Sequence, residues 1–190
     1  MTRKRVAVLI SGRGSNLQAL LDARQDAYEI VLVISNVPGA EGLEKARAAG
    51  VETLTIDHKR FGKDREAFER EIDMELGARA IDIVALAGFM RVLTPFFVRA
   101  WAGHLINIHP SLLPKYPGVN THARALEAGD TEHGATVHLV VEQVDAGEIL
   151  GQARLAIAPT DTPETLAHRV LELEHQLYPE CLEAFARSLR

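Results

Sequence analysis

A doubly wound α/β fold with a mostly parallel sheet is the architecture this chain predicts, on three observations. The short continuous apolar run at residues 6–10 and the largely apolar stretches at 81–86 and 105–108 read as buried strands, the mark of a parallel sheet. Segments of helical periodicity separate them, so strand and helix alternate through the first two-thirds of the chain. The last third breaks that rhythm. Two strand-like runs follow one another, then one long helical stretch, predicting an antiparallel addition at the sheet edge and a long final helix.

The elements follow in order. Residues 6–10 form the first strand, Ser11-Gly12-Arg13-Gly14-Ser15-Asn16-Leu17 turns the chain, and a helix runs over about 15–24. A strand at 29–34, a helix at 43–49 stopped by Gly50, and an alternating strand at 51–56 come next. Asp64 is the candidate N-cap of a helix over 64–79. Strand 81–86 precedes a short helix over 94–101, with Thr94 as cap and Pro95 at its first position. Strand 105–108 leads into Asn107-Ile108-His109-Pro110-Ser111-Leu112-Leu113-Pro114-Lys115-Tyr116-Pro117-Gly118. Strands at 135–141 and 150–157 pair as a hairpin around Asp145-Ala146-Gly147. Asp161 reads as a helix-start residue before Thr162-Pro163-Glu164, and the last helix spans 164–189 with an interruption expected near Pro179. Repeats, low-complexity tracts and linkers are absent, so residues 1–190 read as a single domain.

The net charge of −5 argues against a general nucleic-acid or acidic-membrane binder. One cysteine, Cys181, rules out an intrachain disulfide and reads as a core residue. The basic start, Met1 to Arg5, precedes an apolar run too short for a signal peptide. No stretch approaches the roughly 18 apolar residues of a membrane span. A cytoplasmic location is the default expectation.

Two places carry chemistry. In a strand, residues i and i+2 share a face, so Asn107 and His109 point together while Ile106 and Ile108 point away. Prolines then force the chain out of regular structure, which presents both polar groups to a cleft. The glycine loop after the first strand offers free N–H groups at a helix start, an anion site; a tight turn capped by Ser15 is the plain alternative. A dinucleotide fingerprint requires glycine or alanine where Leu17 stands, and the nucleotide P-loop requires Gly-Lys-Ser/Thr. A monophosphate is the better ligand. Both features end strands of one parallel sheet, hence one crevice.

Five of the eight histidines (His104, His109, His122, His133, His138) fall close together, but no ligand spacing for zinc accompanies them. Asp145 is the candidate carboxylate, in a segment that also reads as a surface turn. Glu172, Glu174 and Arg65 read as ordinary helix-surface residues.

These residues carry a family resemblance over nearly the whole chain. Ile10 to Leu17, Leu86-Ala87-Gly88-Phe89-Met90-Arg91, the Asn107 to Gly118 run, His133-Gly134, and Asp145 with Gly147 make the chain similar to the phosphoribosylglycinamide formyltransferases, folate-dependent enzymes of purine synthesis with a Rossmann-like fold. The resemblance implies transfer of a formyl group from 10-formyltetrahydrofolate, a co-substrate, to the amine of glycinamide ribonucleotide, with no metal. It implies that Asn107, His109 and Asp145 are catalytic and that Gly14, Ser15, Asn16 and Glu174 hold the ribonucleotide. It implies that Arg65, Met90, Arg91, Val92, Leu93, Val141, Glu142, Gln143 and Val144, with Asn107 and Asp145, line the folate site, and that Leu113-Pro114 is cis. Asn120 and Leu171 depart from some relatives near the ribonucleotide. The implied partners are the two small molecules, without nucleic acid or membrane, and a homodimer is left open.

The substrate supplies the nucleophile in such a reaction, in keeping with a chain that lacks a Ser/His/Asp or Cys/His signature. Asn107 suits a developing oxyanion, and Asp145 would orient His109 or carry a proton through water. The alternatives are a 10-formyltetrahydrofolate hydrolase or a formyltransferase for another amine, both usually with a further domain for which this chain has no room. A non-enzymatic phosphate-ligand binding protein is the remaining one.

Overall fold

In the computed structural model, which describes residues 3–189, seven strands form one sheet in the order β3-β2-β1-β4-β5-β6-β7. The strands are β1 (Lys4–Ile10), β2 (Tyr28–Ser35), β3 (Glu52–Thr55), β4 (Ile83–Leu86), β5 (Leu105–His109), β6 (Glu132–Leu139) and β7 (Ile149–Ala156). The first five are parallel, and β6 and β7 add on antiparallel beside β5. The helices are α1 (Ser15–Asp22), α2 (Glu41–Ala48), α3 (Arg65–Ala78), α4 (Pro95–Ala100), α5 (Thr121–Glu127) and α6 (Pro163–Ser188). The predicted α/β architecture and its antiparallel edge are both present.

Alternation of strand side chains makes two cores. Val6, Val8, Ile10, Ile83, Ala85, Ile106 and Ile108 face α1, α2 and α6. Ala7, Leu9, Leu32, Ile34, Val84, Leu86 and Leu105 face α3 and α4. Asn107 and His109 share the parity of Leu105. Leu105 is sealed in the core that holds Phe97 of α4, whereas Asn107 and His109 come after it on that face, Asn107 lining a cleft and His109 buried next to it. Strand order reverses between β1 and β4, where the glycine loop and the Gly88 segment leave the sheet side by side.

Several local expectations change. Pro179 lies inside α6 without interrupting it. Proline removes one N–H bond, but Leu177, Tyr178, Cys181, Leu182 and Phe185 around it are all buried, and their packing holds the helix through that point. Ser15 does not cap α1: Gly14 is the N-cap, at φ 69°, and no side chain caps the helix. Thr94 occupies the N-cap of α4, but its hydroxyl donates to Glu69 and its backbone N–H donates to the same carboxylate at 2.8 Å. Asp64 caps α3 as predicted, accepting from the Ala67 N–H at 2.9 Å. Helix α5 and a single 3-10 turn at His58–Phe61 appear where the sequence reads as loop. The Leu113-Pro114 bond is cis.

Candidate active site

The glycine loop is built by close approach. At Gly14 a Cβ would lie 2.8 Å from Gly42 Cα, and φ is 69°. Only glycine meets both demands, and the approach lets the Gly42 N–H donate to Gly12 O at 3.1 Å. The loop thus folds back on α2 while the uncapped start of α1 leaves its first N–H groups for an anion. Ser11, Gly12, Arg13, Gly14, Ser15 and Asn16, with Ala87, Gly88 and Met90, enclose a cavity of about 230 Å³. Asn16 Nδ2 donates to Glu174 at 2.7 Å, which ties α1 to α6. Glu174 is 8% exposed, so it is no surface residue. Burial raises its pKa, against the opposing hydrogen bond from Asn16.

A second cavity of about 180 Å³ lies beside the first. Leu86, Phe89, Leu93, Val98 and Val140 make it largely apolar, and Arg91, Asn107, His138, Glu142 and Asp145 supply polar edges. Val92, Val141 and Val144 complete the lining. Of the residues implied for a folate, Met90 belongs to the neighbouring cavity. Arg65 stands outside, donating to Val92 O at 3.2 Å and so bracing the rim. Gln143 lines neither. A larger groove of about 660 Å³ between α1 and α6 shares only Ser15 with the loop cavity and none of this chemistry.

Asn107, His109 and Asp145 converge. Asp145 adopts φ 54°, and a Cβ on Gly147 would lie 1.7 Å from Leu139 O, so the segment folds tightly over the end of β6. That turns the Asp145 carboxylate inward. Oδ2 accepts from the Gly118 N–H at 2.8 Å and lies 3.5 Å from His109 Nδ1. Oδ1 lies 3.6 Å from His138 Nε2. The other His109 nitrogen, Nε2, is 2.9 Å from Tyr116 O. A carbonyl only accepts, so Nε2 carries a hydrogen, and Nδ1 is the atom turned toward Asp145. The proline loop that supplies Tyr116 O is itself fixed: Ser111 Oγ donates to Lys115 O at 2.6 Å, and Leu113 N donates to Thr136 Oγ1 at 3.1 Å.

His138 is the site residue that sequence reasoning passed over. It stands directly opposite Asn107 in the antiparallel ladder, on the same face, 2% exposed. Burial lowers its pKa, overriding the Leu139 carbonyl and Asp145, so the ring is neutral at pH 7. Ser11 was missed as well. Its hydroxyl donates to Asn36 Oδ1 at 2.5 Å and accepts from Met90 N at 2.8 Å, tying together the two loops that wall the first cavity. Among the described residues no group of three or more His, Cys, Asp or Glu side chains is arranged to hold a metal ion. None of their helices is long and apolar enough to cross a membrane.

Residues 4–182 match the formyl transferase family model. The chain is 47% identical over 184 residues to phosphoribosylglycinamide formyltransferase of Escherichia coli, covering 95% of this chain and 86% of that one. It is 52% identical over 185 residues to the trifunctional purine biosynthetic protein adenosine-3 of Drosophila melanogaster, but spans 14% of that longer protein. The crystal structure of phosphoribosylglycinamide formyltransferase from Brucella melitensis superposes with a TM-score of 0.92 at 47% identity, covering 100% of this chain and 98% of that one. The Escherichia coli and Brucella melitensis relatives are named as formyltransferases, which leaves the hydrolase and binding-protein alternatives without support.

Proposed function

The chain belongs to the formyl transferase family, and on that premise we propose that it moves the formyl group of 10-formyltetrahydrofolate to the amine of 5'-phosphoribosylglycinamide, a step of purine biosynthesis. One observation carries the reading: an amide, an imidazole and a carboxylate converge between an anion-binding loop and an apolar cleft.

The ribonucleotide phosphate sits on Gly14, Ser15 and Asn16, with Glu174 behind them toward the ribose. The second cavity, of about 180 Å³, takes the pterin of the folate, its apolar walls against the ring faces and its polar edges on the ring's heteroatoms. Holding both substrates by these remote groups supplies the orientation term.

The amine nitrogen then attacks the formyl carbon. The carbonyl electron pair moves to oxygen, and the Asn107 amide donates to that oxyanion, a contact worth about 100- to 1,000-fold in rate. The amine gives up one proton, and the folate nitrogen takes one as its bond to carbon breaks and the carbonyl re-forms. Asp145, whose Oδ2 lies 3.5 Å from His109 Nδ1, handles that proton, directly or through water, for about 100- to 10,000-fold. The products are the formylated amide and tetrahydrofolate.

Incubation with 10-formyltetrahydrofolate, with and without the ribonucleotide, tests this. Deformylation only when the ribonucleotide is present is the expected result. Turnover without it, or none in either case, refutes the transferase. His109→Ala and Asp145→Asn should each lower kcat at least 100-fold with KM nearly unchanged; full activity in either removes that residue from the chemistry.

A further inference from the structure

We propose that His138 is the positioning residue for Asn107, its ring nitrogen Nε2 accepting from the Asn107 amide and so dictating which end of that amide serves the reaction. This rests on the assignment of Asn107 as the oxyanion donor.

An asparagine amide has two nearly isosteric ends, one that donates and one that only accepts. Turning it about its last side-chain bond exchanges them. A site that stabilises an oxyanion needs the NH2 end, and a lone asparagine on an open strand face has nothing to enforce it. In this protein the Asn107 amide has a side-chain hydrogen-bond partner in His138. Its Nδ1 lies 2.8 Å from Leu139 O. That carbonyl can only accept, so Nδ1 holds the ring hydrogen and the neutral ring presents a bare lone pair at Nε2. Asn107 Nδ2 lies 3.4 Å from that atom. The NH2 end therefore faces His138, with one hydrogen directed at Nε2 and the second left for a ligand. The reversed amide would set two lone pairs against each other. The contact is long, as side-chain bonds in ligand-free catalytic sites often are.

The backbone makes this pairing possible. Asn107 and His138 are register partners across β5 and β6, where side chains on one face lie close enough to interact. The ionisable groups facing His138 are Asp145, 3.6 Å from Nε2, and His109 beyond it. Buried at 2% exposure, the imidazole has no reason of packing to be histidine rather than leucine on an interior strand.

A double-mutant cycle tests the role. Steady-state kinetics for both substrates are measured for the wild type, Asn107→Ala, His138→Leu, His138→Gln and the Asn107→Ala/His138→Leu double variant, with thermal melting to establish folding. His138→Leu should lower kcat about 10- to 100-fold, no more than Asn107→Ala itself, with both KM values within about twofold. His138→Gln, whose side-chain oxygen can accept, should recover much of the loss. The double variant should be no slower than Asn107→Ala alone, because His138 acts only through Asn107. If the two effects multiply, if KM rises instead of kcat falling, or if His138→Gln is no better than His138→Leu although both fold, the proposal is overturned. Full activity in Asn107→Ala would overturn the oxyanion assignment itself. A slow Asn107→Ala beside a fully active His138→Leu overturns the positioning role alone.

Discussion

Acid should destabilise this fold through one buried histidine pair. His122 Nδ1 and His133 Nε2 are 3.1 Å apart, with the rings edge to face at 5.1 Å. One hydrogen fits between these nitrogens, and a second proton would set two like charges together. Burial first, and the neighbouring imidazole second, push His133 from 6.5 down to about 4, while Asp130 opposes. Burial also lowers His122, helped by His109. The folded pKa lies below the unfolded one, so the unfolded chain binds the proton first. The contribution is complete above pH 6.5 and is lost as the pH falls through about 4. At 1.36 kcal/mol per pH unit, His133 alone carries about 3 kcal/mol, of which about 2.5 is already gone at pH 4.5. That is a large share of a typical domain's 5–15 kcal/mol. Urea unfolding followed by fluorescence of Trp101 at pH 7.5 and 4.5, for the wild type and His133→Gln, isolates the effect from the carboxylates that titrate in both. The wild type should lose about 2.5 kcal/mol more than the variant over that interval. Parallel losses would refute the reasoning. Activity should fail in step, because Tyr116 packs its ring edge-on to His133 and lends its carbonyl to His109.

Three further outcomes follow from single contacts. Thr94→Val removes one of two donors to Glu69, a carboxylate only 1% exposed, and should cost about 1–3 kcal/mol in denaturant unfolding; a loss below about 0.5 kcal/mol would contradict the buried network. Gly147→Ala drives a Cβ toward Leu139 O, 1.7 Å away as the chain stands, so the Asp145 segment must lift and kcat should drop at least about tenfold in a protein that still melts cooperatively. Unimpaired turnover there would mean the segment need not sit where it does. Asn16→Ala, measured against each substrate in turn, should raise KM for the ribonucleotide about tenfold, the worth of about 1.4 kcal/mol, and leave KM for the folate alone; equal effects on both would move Asn16 out of the phosphate site.

The parts of this fold that could be read from sequence are those governed by local pattern. Strand β4 and the second part of β1 are buried on both faces, so their apolar runs are unbroken, and in β5 only the polar site residues Asn107 and His109 interrupt the run. Helix α5 escaped because its seven residues, Thr-His-Ala-Arg-Ala-Leu-Glu, follow a proline loop and start from Asn120 at φ 57°, with no side-chain cap. Pro179 read as a break because a single residue's propensity says nothing of the packing that overrides it. Glu174 was legible after all: Val170, Glu174, Leu177, Tyr178 and Cys181 lie on one buried stripe of α6, and a glutamate inside an apolar stripe needs a partner, which Asn16 provides.

His138 lies beyond local pattern altogether. On its own strand it is one polar residue between Val137 and Leu139, no different from any other alternation. Its meaning comes from register. Asn107 meets His138 because Ile106 pairs with Leu139 and Ile108 with Val137, and a slip of one residue would turn His138 to the opposite face. The apolar neighbours enforce that register, since Ile106, Ile108 and Val137 all belong to the core beneath α6. The same alternation that buries the isoleucines therefore delivers the amide and the imidazole to the cleft. Mutations that loosen this core should damage catalysis through the Asn107–His138 contact before they unfold the protein.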